Sequence, residues 1–531
     1  MRETSLVPLG REHRVAESMR SALAMVEKPT ESDASSVQGF SLDERLNEPA
    51  FAVAPPQSVI TRALNGALAL GVRQILVQGA RVFGGILLAR LLTPGEFGIF
   101  AIVLYLQIFF TAFGDAGLAA SLIRQIEEPS EAEYQAVFSV QQVFVLSMSL
   151  CLWLASPYIT ASYHLPHSDT WLFKLSAISF IVVSFMVIPV SRLERKLAFD
   201  KIAVIEPAQA IVFYGVAVAL AWRGVGAMSF AWALLARAVV GTAIANWVCP
   251  WSIGWRWDWH LIRTHMSFGI PYQGIQVASF LKDSISPVLI GLLLGTADVG
   301  YVSWAGMLAA YPVLALLVLQ RVYMPAFARL QHLPARLAAF TENVIWATNA
   351  ITAPLAVTTL VLVYPITRLI YGDKWIVAIP YFFLFWVANL FVASATPCMA
   401  LLNALGRSQT ALLFALVWMA GTWIVGGPLI WFYGPMGYAI ANLVVQLSNL
   451  WLYREAQRSI PFHLIRFALP SWLIAAAAGA LEYGLCQMHS AMHIIDVVSY
   501  AAIGILAYSA CLFLLYRTKV QTICTSFRGA V

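Results

Sequence analysis

From about residue 67 to the C-terminus, apolar runs of roughly twenty residues alternate with short polar connections. An α-helix rises 1.5 Å per residue, so each run can cross a hydrocarbon core of about 30 Å. Spans are predicted near 67–91, 98–120, 135–157, 171–191, 204–222, 227–249, 268–293, 299–321, 343–364, 376–402, 411–432, 436–453, 467–487 and 494–516. The expected fold class is an all-α polytopic membrane protein of about 14 transmembrane helices.

Composition agrees, with 60% hydrophobic and 11% charged residues, and a water-soluble globule is excluded. Basic residues then set the orientation, because Lys and Arg near span ends stay in the cytoplasm. Connections on the side of the N-terminus, with the C-terminal tail, hold seventeen of them against four (Arg90, Arg223, Arg368, Lys374) on the other side. Both termini are therefore expected in the cytoplasm. Residues 1–58 are polar and lack the apolar core of a signal peptide, so a disordered cytoplasmic tail is expected there. An upstream misassigned start is the alternative. The six cysteines are scattered with no metal-type spacing, which implies no disulfide framework.

The run "LARLLTPGEFGIF" at 88–100 returns as "IGLLLGTADVGYV" at 290–302, aligning Gly98 with Gly300 and Glu96 with Asp298 at an offset of 202. A second echo pairs "GAMSFAWALL" from Gly226 with "GPMGYAIANL" from Gly434 at an offset of 208. Ordered repeats separated by about six spans predict two halves inserted in the same sense, related by an axis along the membrane normal, with a substrate cavity between them. The expected divisions are an N-terminal lobe at 59–250, a C-terminal lobe at 251–460, and two helices plus a tail at 461–531. Pro94 and Gly95 break the helix and Glu96 can cap the next one, a structural role for the acidic turn.

Cations inside a membrane are costly and face a partner or a wet cavity. The first span carries Arg73 and Arg81, about 80° apart around the helix, and the seventh carries Lys282 and Asp283. The offset of 202 sets Arg81 opposite Asp283. These four are the expected substrate-binding residues; their cationic surplus suits an anionic ligand such as a diphosphate, which Arg binds through paired donors. The alternative is an Arg81–Asp283 ion pair with Arg73 snorkelling to the membrane edge. Asp115, Glu206 and Arg237 are candidates for ion coupling, although Glu206 and Arg237 can also simply pair with each other.

Trp251, Trp255, Trp257 and Trp259 crowd the connection between the halves, where indole anchors at the headgroup level; no basic groove for nucleic acid accompanies them. Phosphate-binding, zincin and nucleophile-elbow motifs are missing from the sequence, and His164/His167 and His489/His493 lack a third ligand. A non-enzyme without cofactor or metal is expected.

The stretches "RVFGGILLARLLTPGEFGIFAIV", "FGDAGLAASLIRQ", "WDWHLIRTHMSFGIPY" and "LLGTADVGYVSWAGMLAAYPV" resemble the Wzx-type polysaccharide flippases of the multidrug/oligosaccharidyl-lipid/polysaccharide exporter superfamily, over roughly residues 60–460. That resemblance implies an inverted-V, two-lobed fold and movement of undecaprenyl-diphosphate-linked oligosaccharides to the periplasmic leaflet for exopolysaccharide, capsule or O-antigen synthesis. The partners it implies are the lipid-linked substrate, membrane lipids, and the polysaccharide polymerase and export machinery. A peptidoglycan-precursor flippase or drug exporter of the same superfamily would share the plan, and a polysaccharide polymerase would differ in carrying a large periplasmic loop.

Overall fold

The computed structural model describes residues 56–530 apart from 116–117, 126, 197, 260, 264–276, 278 and 489–492. Nearly all of the expected N-terminal tail lies outside the described residues. Asn65–Val531 form one compact unit.

The described chain is helical from end to end. It runs α1 (Pro56–Leu91), α2 (Pro94–Asp115), the short α3 (Leu118–Arg124), α4 (Glu131–Ser162), α5 (Thr170–Arg195), α6 (Phe199–Trp222) and α7 (Met228–Val248). The second half opens with α8, residues 279–293, which contains a π-helical turn at Ser286–Ile290. It continues with α9 (Thr296–Leu314), α10 (Leu316–Leu330), α11 (Pro334–Val361), α12 (Ile379–Ala404), α13 (Ser408–Tyr433), α14 (Pro435–Gln446) and α15 (Asn449–Ser459). Two more helices, α16 (Leu464–Met488) and α17 (Ile494–Ala530), follow the repeat. A helix stands at every predicted span. The last one breaks its helical dihedrals at Tyr516, where the span was expected to end.

Among the described residues ten helices are long and apolar enough to cross a membrane. The other four expected spans are not among them. The first, α1, carries Arg73, Arg81 and Arg90, and the described part of the seventh is α8 alone, with its π turn. The eighth and twelfth are each divided into two consecutive helices, α9–α10 and α14–α15.

Local chemistry explains the repeated turn. Pro94 takes the first position of α2, where its missing N–H costs nothing. Glu96 closes a capping box, its Oε2 accepting from the Thr93 N–H at 2.7 Å and from the Thr93 hydroxyl at 2.8 Å. The second copy turns instead through Gly295 at φ 111°, a left-handed conformation that favours glycine.

Candidate functional site

The two copies of the turn meet face to face. A Cβ built on Gly98 would lie 1.7 Å from the Thr296 carbonyl oxygen, and one built on Gly300 would lie 2.0 Å from that of Pro94. Both contacts map onto each other under the offset of 202, since Pro94 aligns with Thr296 as Gly98 does with Gly300. Self-reciprocal contact is the mark of a two-fold axis. Helices α2 and α9 therefore cross on the pseudo-two-fold axis, in van der Waals contact that only glycine allows. The equivalent helices that meet there are the second and eighth spans rather than the first and seventh.

Around this crossing the halves share one core. Phe97, Val299, Val302, Trp304, Trp375 and Phe382 are all buried in it. Trp375 stacks on Trp304 at 5.2 Å and meets Phe97 edge-on at 5.2 Å, while its indole N–H donates to the Ala89 carbonyl at 2.9 Å. Lys374 donates to the carbonyls of Arg90 at 2.8 Å and Leu92 at 2.5 Å, and Arg90 donates to that of Leu369 at 3.1 Å. On the same face the Tyr163 hydroxyl donates to the Pro287 carbonyl at 3.1 Å. Backbone groups that a membrane cannot hydrate are thus satisfied across the junction. Away from the crossing the cores separate: Leu118, Phe138, Leu193 and Ile205 pack within the first half, and Phe327, Leu401, Phe414 and Leu452 within the second.

Where α2 and α9 diverge below the crossing, they enclose a cavity of about 470 Å³. Ala101, Leu104, Tyr105 and Ile108 of α2 line it, and so do Ser303, Gly306, Met307 and Ala310 of α9. These are four aligned pairs at the offset of 202, so the cavity lies on the axis. The rest of its wall comes from the second half: Asp283, Ser286 and Pro287 of α8, Phe385 and Asn389 of α12, and Tyr438, Asn442 and Gln446 of α14. Of these contributors, α9 and α14 belong to spans divided into consecutive helices and α8 carries a π turn, as expected of interrupted helices around a binding site. Phe280 stacks on Tyr105 at 4.4 Å and approaches Phe109 at 5.0 Å, joining α8 to α2 beside the cavity.

The sequence-predicted residues fall into two groups. Asp283 lines the cavity and pairs with its neighbour Lys282. That pairing replaces the Arg81–Asp283 pair offered by the alignment, and it leaves the Lys282 charge compensated. Arg81 is exposed and within hydrogen-bonding reach of the Tyr214 phenol, with Tyr311 of α9 also in its field. Tyr311 lies one turn along α9 from Met307, a cavity residue, and Met307 Sδ is 4.0 Å from a Cβ built on Gly85 of α1. Arg237 shares the surroundings of Tyr214, Arg81 and Glu206. Arg73 neither snorkels nor stands free: its Nη1 is 3.3 Å from Glu206 Oε1. Glu206 was matched with Arg237 from sequence; helix packing gives it to Arg73 instead, with Arg237 as a second, more distant cation. Asp115 ends α2, but its side chain lies outside the described residues. Among the described residues no cluster of three or more His, Cys, Asp or Glu could hold a metal.

Sequence reasoning missed Ser303, Asn389, Asn442 and Gln446. The signal was available for Asn442, which interrupts the otherwise apolar second echo at the position where the first echo has Leu234.

Two parallel halves crossing on an axis above a polar cavity define a membrane transporter of repeat architecture. Solved structures share the fold. "Lipid II flippase MurJ, inward closed conformation" matches with TM-score 0.69 at 13% identity, over 86% of this chain and 100% of that one. An inward-facing multidrug resistance MATE family transporter of the MOP superfamily matches with TM-score 0.51 at 15% identity, over 74% and 98%. The family profile described as "Polysaccharide biosynthesis protein" matches residues 87–380, and the chain belongs to that family. Its relatives include the succinoglycan biosynthesis transport protein ExoT of Rhizobium meliloti (strain 1021), 25% identical over 82% of this chain and 89% of ExoT. The lipopolysaccharide biosynthesis protein WzxC of Escherichia coli (strain K12) is 22% identical over 80% of this chain and 89% of WzxC.

Proposed function

We propose that this protein carries undecaprenyl-diphosphate-linked oligosaccharide from the cytoplasmic to the periplasmic leaflet of a bacterial inner membrane, supplying exopolysaccharide, capsule or O-antigen synthesis. The observation that carries the reading is the on-axis cavity beside the α2–α9 crossing, with Ser, Asn, Gln and Tyr side chains in its wall and Arg81 in the field of Tyr311, one turn along α9 from its lining. Names of the relatives, a succinoglycan transport protein and a lipopolysaccharide biosynthesis protein, support the substrate class. The lobes are 59–250 and 251–460, with 461–531 outside the repeat.

In this reading Arg81 and Arg237, beside Tyr214, attract the diphosphate, whose charge a low-dielectric site binds far more strongly than water would. Arg73 and Glu206 hold α1 against α6, and Lys282 is released to the ligand when its pairing with Asp283 is exchanged. Coupling to an ion gradient runs through Glu206, Arg237 or Asp115. The lipid tail stays in the bilayer, and no bond is broken.

Deletion of the gene tests this. Cells should lose surface or secreted polysaccharide and accumulate lipid-linked repeat units on the cytoplasmic leaflet, with export restored by the wild-type chain and not by Arg81→Ala at equal protein level. Unpolymerised units on the periplasmic leaflet would instead identify a polymerase.

A further inference from the structure

The cavity is symmetric in frame and asymmetric in chemistry. On the wall from the second half stand Ser286, Ser303, Asn389, Tyr438, Asn442 and Gln446, around the Asp283 carboxylate. At the offset of 202 the first half has Gly84 for Ser286 and Ala101 for Ser303; at 208 it has Phe230, Leu234 and Ala238 for Tyr438, Asn442 and Gln446. Asp283 aligns with Arg81, so the two halves even differ in the sign of their charge.

Among the described residues several of these polar groups have no hydrogen-bond partner. The Ser286 hydroxyl is buried, the residue being 8% exposed, and makes no hydrogen bond. Among the described contacts no hydrogen bond occupies the amides of Asn389 or Asn442. Gln446 uses its carbonyl oxygen to accept from Asn449 at 2.7 Å and keeps its amide N–H groups for the cavity. A primary amide offers donors and an acceptor side by side, which matches adjacent hydroxyls on a sugar ring. Tyr105, Phe385 and Tyr438 supply ring faces against which the C–H side of a sugar can lie. A volume of about 470 Å³ falls in the range of small-ligand sites, about 300–1,000 Å³. An unpaired hydroxyl and free amides at membrane depth are costly unless a polar ligand or water occupies them.

We propose that this wall is a sugar-reading subsite, which takes the lipid-proximal ring of the cargo and selects uncharged, hydroxyl-rich sugars over uronic acids. The assignment rests on the flippase reading and deepens it: the diphosphate goes to the Arg81 side, and the first sugar to the Asn389–Asn442–Gln446 side. Asp283 supplies the selection: once Lys282 is released to the diphosphate, the Asp283 carboxylate is uncompensated and a sugar carboxylate placed beside it meets a like charge.

The test uses the full chain in nanodiscs and three ligands: undecaprenyl diphosphate, and the same carrier bearing glucose or glucuronic acid. Asn442→Leu and Ser303→Ala install the residues of the first half at equivalent positions, so both suit this fold; thermal unfolding checks that they do. Wild type should bind the glucosyl carrier more tightly than the bare one. Asn442→Leu should erase about tenfold of that advantage, equivalent to about 1.4 kcal/mol, and Ser303→Ala a smaller part, while binding of bare carrier is unchanged. Asp283→Asn should narrow the preference for glucosyl over glucuronosyl carrier. Equal wild-type affinity for bare and glucosyl carriers, or equal loss of both in Asn442→Leu, overturns the subsite and leaves the flippase reading intact. Failure of wild type to bind any of the three overturns the flippase reading itself.

Discussion

Replacing Gly98 by Ala should open the closed face of the protein. The added methyl carbon would sit 1.7 Å from the Thr296 carbonyl oxygen, where ordinary contact begins at 3.4 Å. That oxygen belongs to the first residue of α9, which no side-chain rotation can move aside. The helices must part by about 1.7 Å, at an overpacking cost of about 1–3 kcal/mol in this conformation. A conformation with the crossing undone does not bear that cost, so its population relative to the closed one should rise about 5- to 150-fold. Gly300→Ala, whose methyl would sit 2.0 Å from the Pro94 oxygen, should act in the same direction. The double variant should fall well short of the sum, because one separation relieves both clashes. Gly79→Ala is the control: nothing lies within 4 Å of a Cβ there, and alanine stabilises a helix interior by about 0.5–1 kcal/mol. Ser303→Cys, in a chain whose native cysteines are replaced by Ser, provides the readout, since Ser303 lines the cavity just below the crossing. A membrane-impermeant maleimide added to the face of Lys374 and Trp375 should label it slowly, faster with Gly98→Ala, and at the unaltered rate with Gly79→Ala. Unchanged labelling in both Gly98→Ala and Gly300→Ala, in protein of normal stability, would falsify the view that this contact holds the face shut.

Other perturbations probe the surroundings. Trp375→Phe keeps the aromatic core and deletes the hydrogen bond to Ala89, so it should cost about 1 kcal/mol and raise Ser303→Cys labelling less than Gly98→Ala does. Glu206→Gln leaves the largely buried Arg73 without its carboxylate; a loss of about 1–2 kcal/mol is expected, kept low because Glu206 is 46% exposed. Arg73→Met with Glu206→Leu should recover most of the thermal stability in detergent, and a double variant as unstable as the single one would speak against the pair. Phe280→Ala removes the ring between Tyr105 and Phe109 and should lower stability by about 3 kcal/mol, seen as a reduced unfolding temperature.

Span positions were legible because apolar length is a property of each segment alone. Even the break in α17 at Tyr516 agrees with the predicted 494–516 span. Glu96 was legible for the same reason: a capping box involves neighbours three residues apart. Ion pairing was not. Arg73 was expected to bind substrate or snorkel to the membrane edge, and only the packing of α1 beside α6 gives it Glu206. The pairing of Lys282 with Asp283 escaped the alignment because adjacent residues on a regular helix do not face each other, whereas α8 departs from regularity into a π turn three residues later. The position of the axis was also hidden, although its residues were in plain view: Gly98 and Gly300 defined the offset, yet an offset cannot say that aligned residues touch.

Duplication and cargo pull this site in opposite directions. A cavity on an exact two-fold would have identical walls and would suit a ligand that is itself symmetric. A lipid-linked saccharide is not symmetric, having a diphosphate at one end of the site and hydroxyls at the other. The frame can stay paired, since helix crossing depends only on backbone approach, and Gly98 and Gly300 keep the same residue in both copies. Lining positions answer to the ligand instead, and there the copies diverge: Arg81 against Asp283, Ala101 against Ser303, Leu234 against Asn442. Divergence at the cavity, on a frame whose glycine contacts remain reciprocal, is what a transporter derived by duplication needs in order to hold a two-ended cargo in one orientation. It also locates specificity. Exchanging a lining pair should alter which cargo is bound, and exchanging a frame residue should alter which face is open.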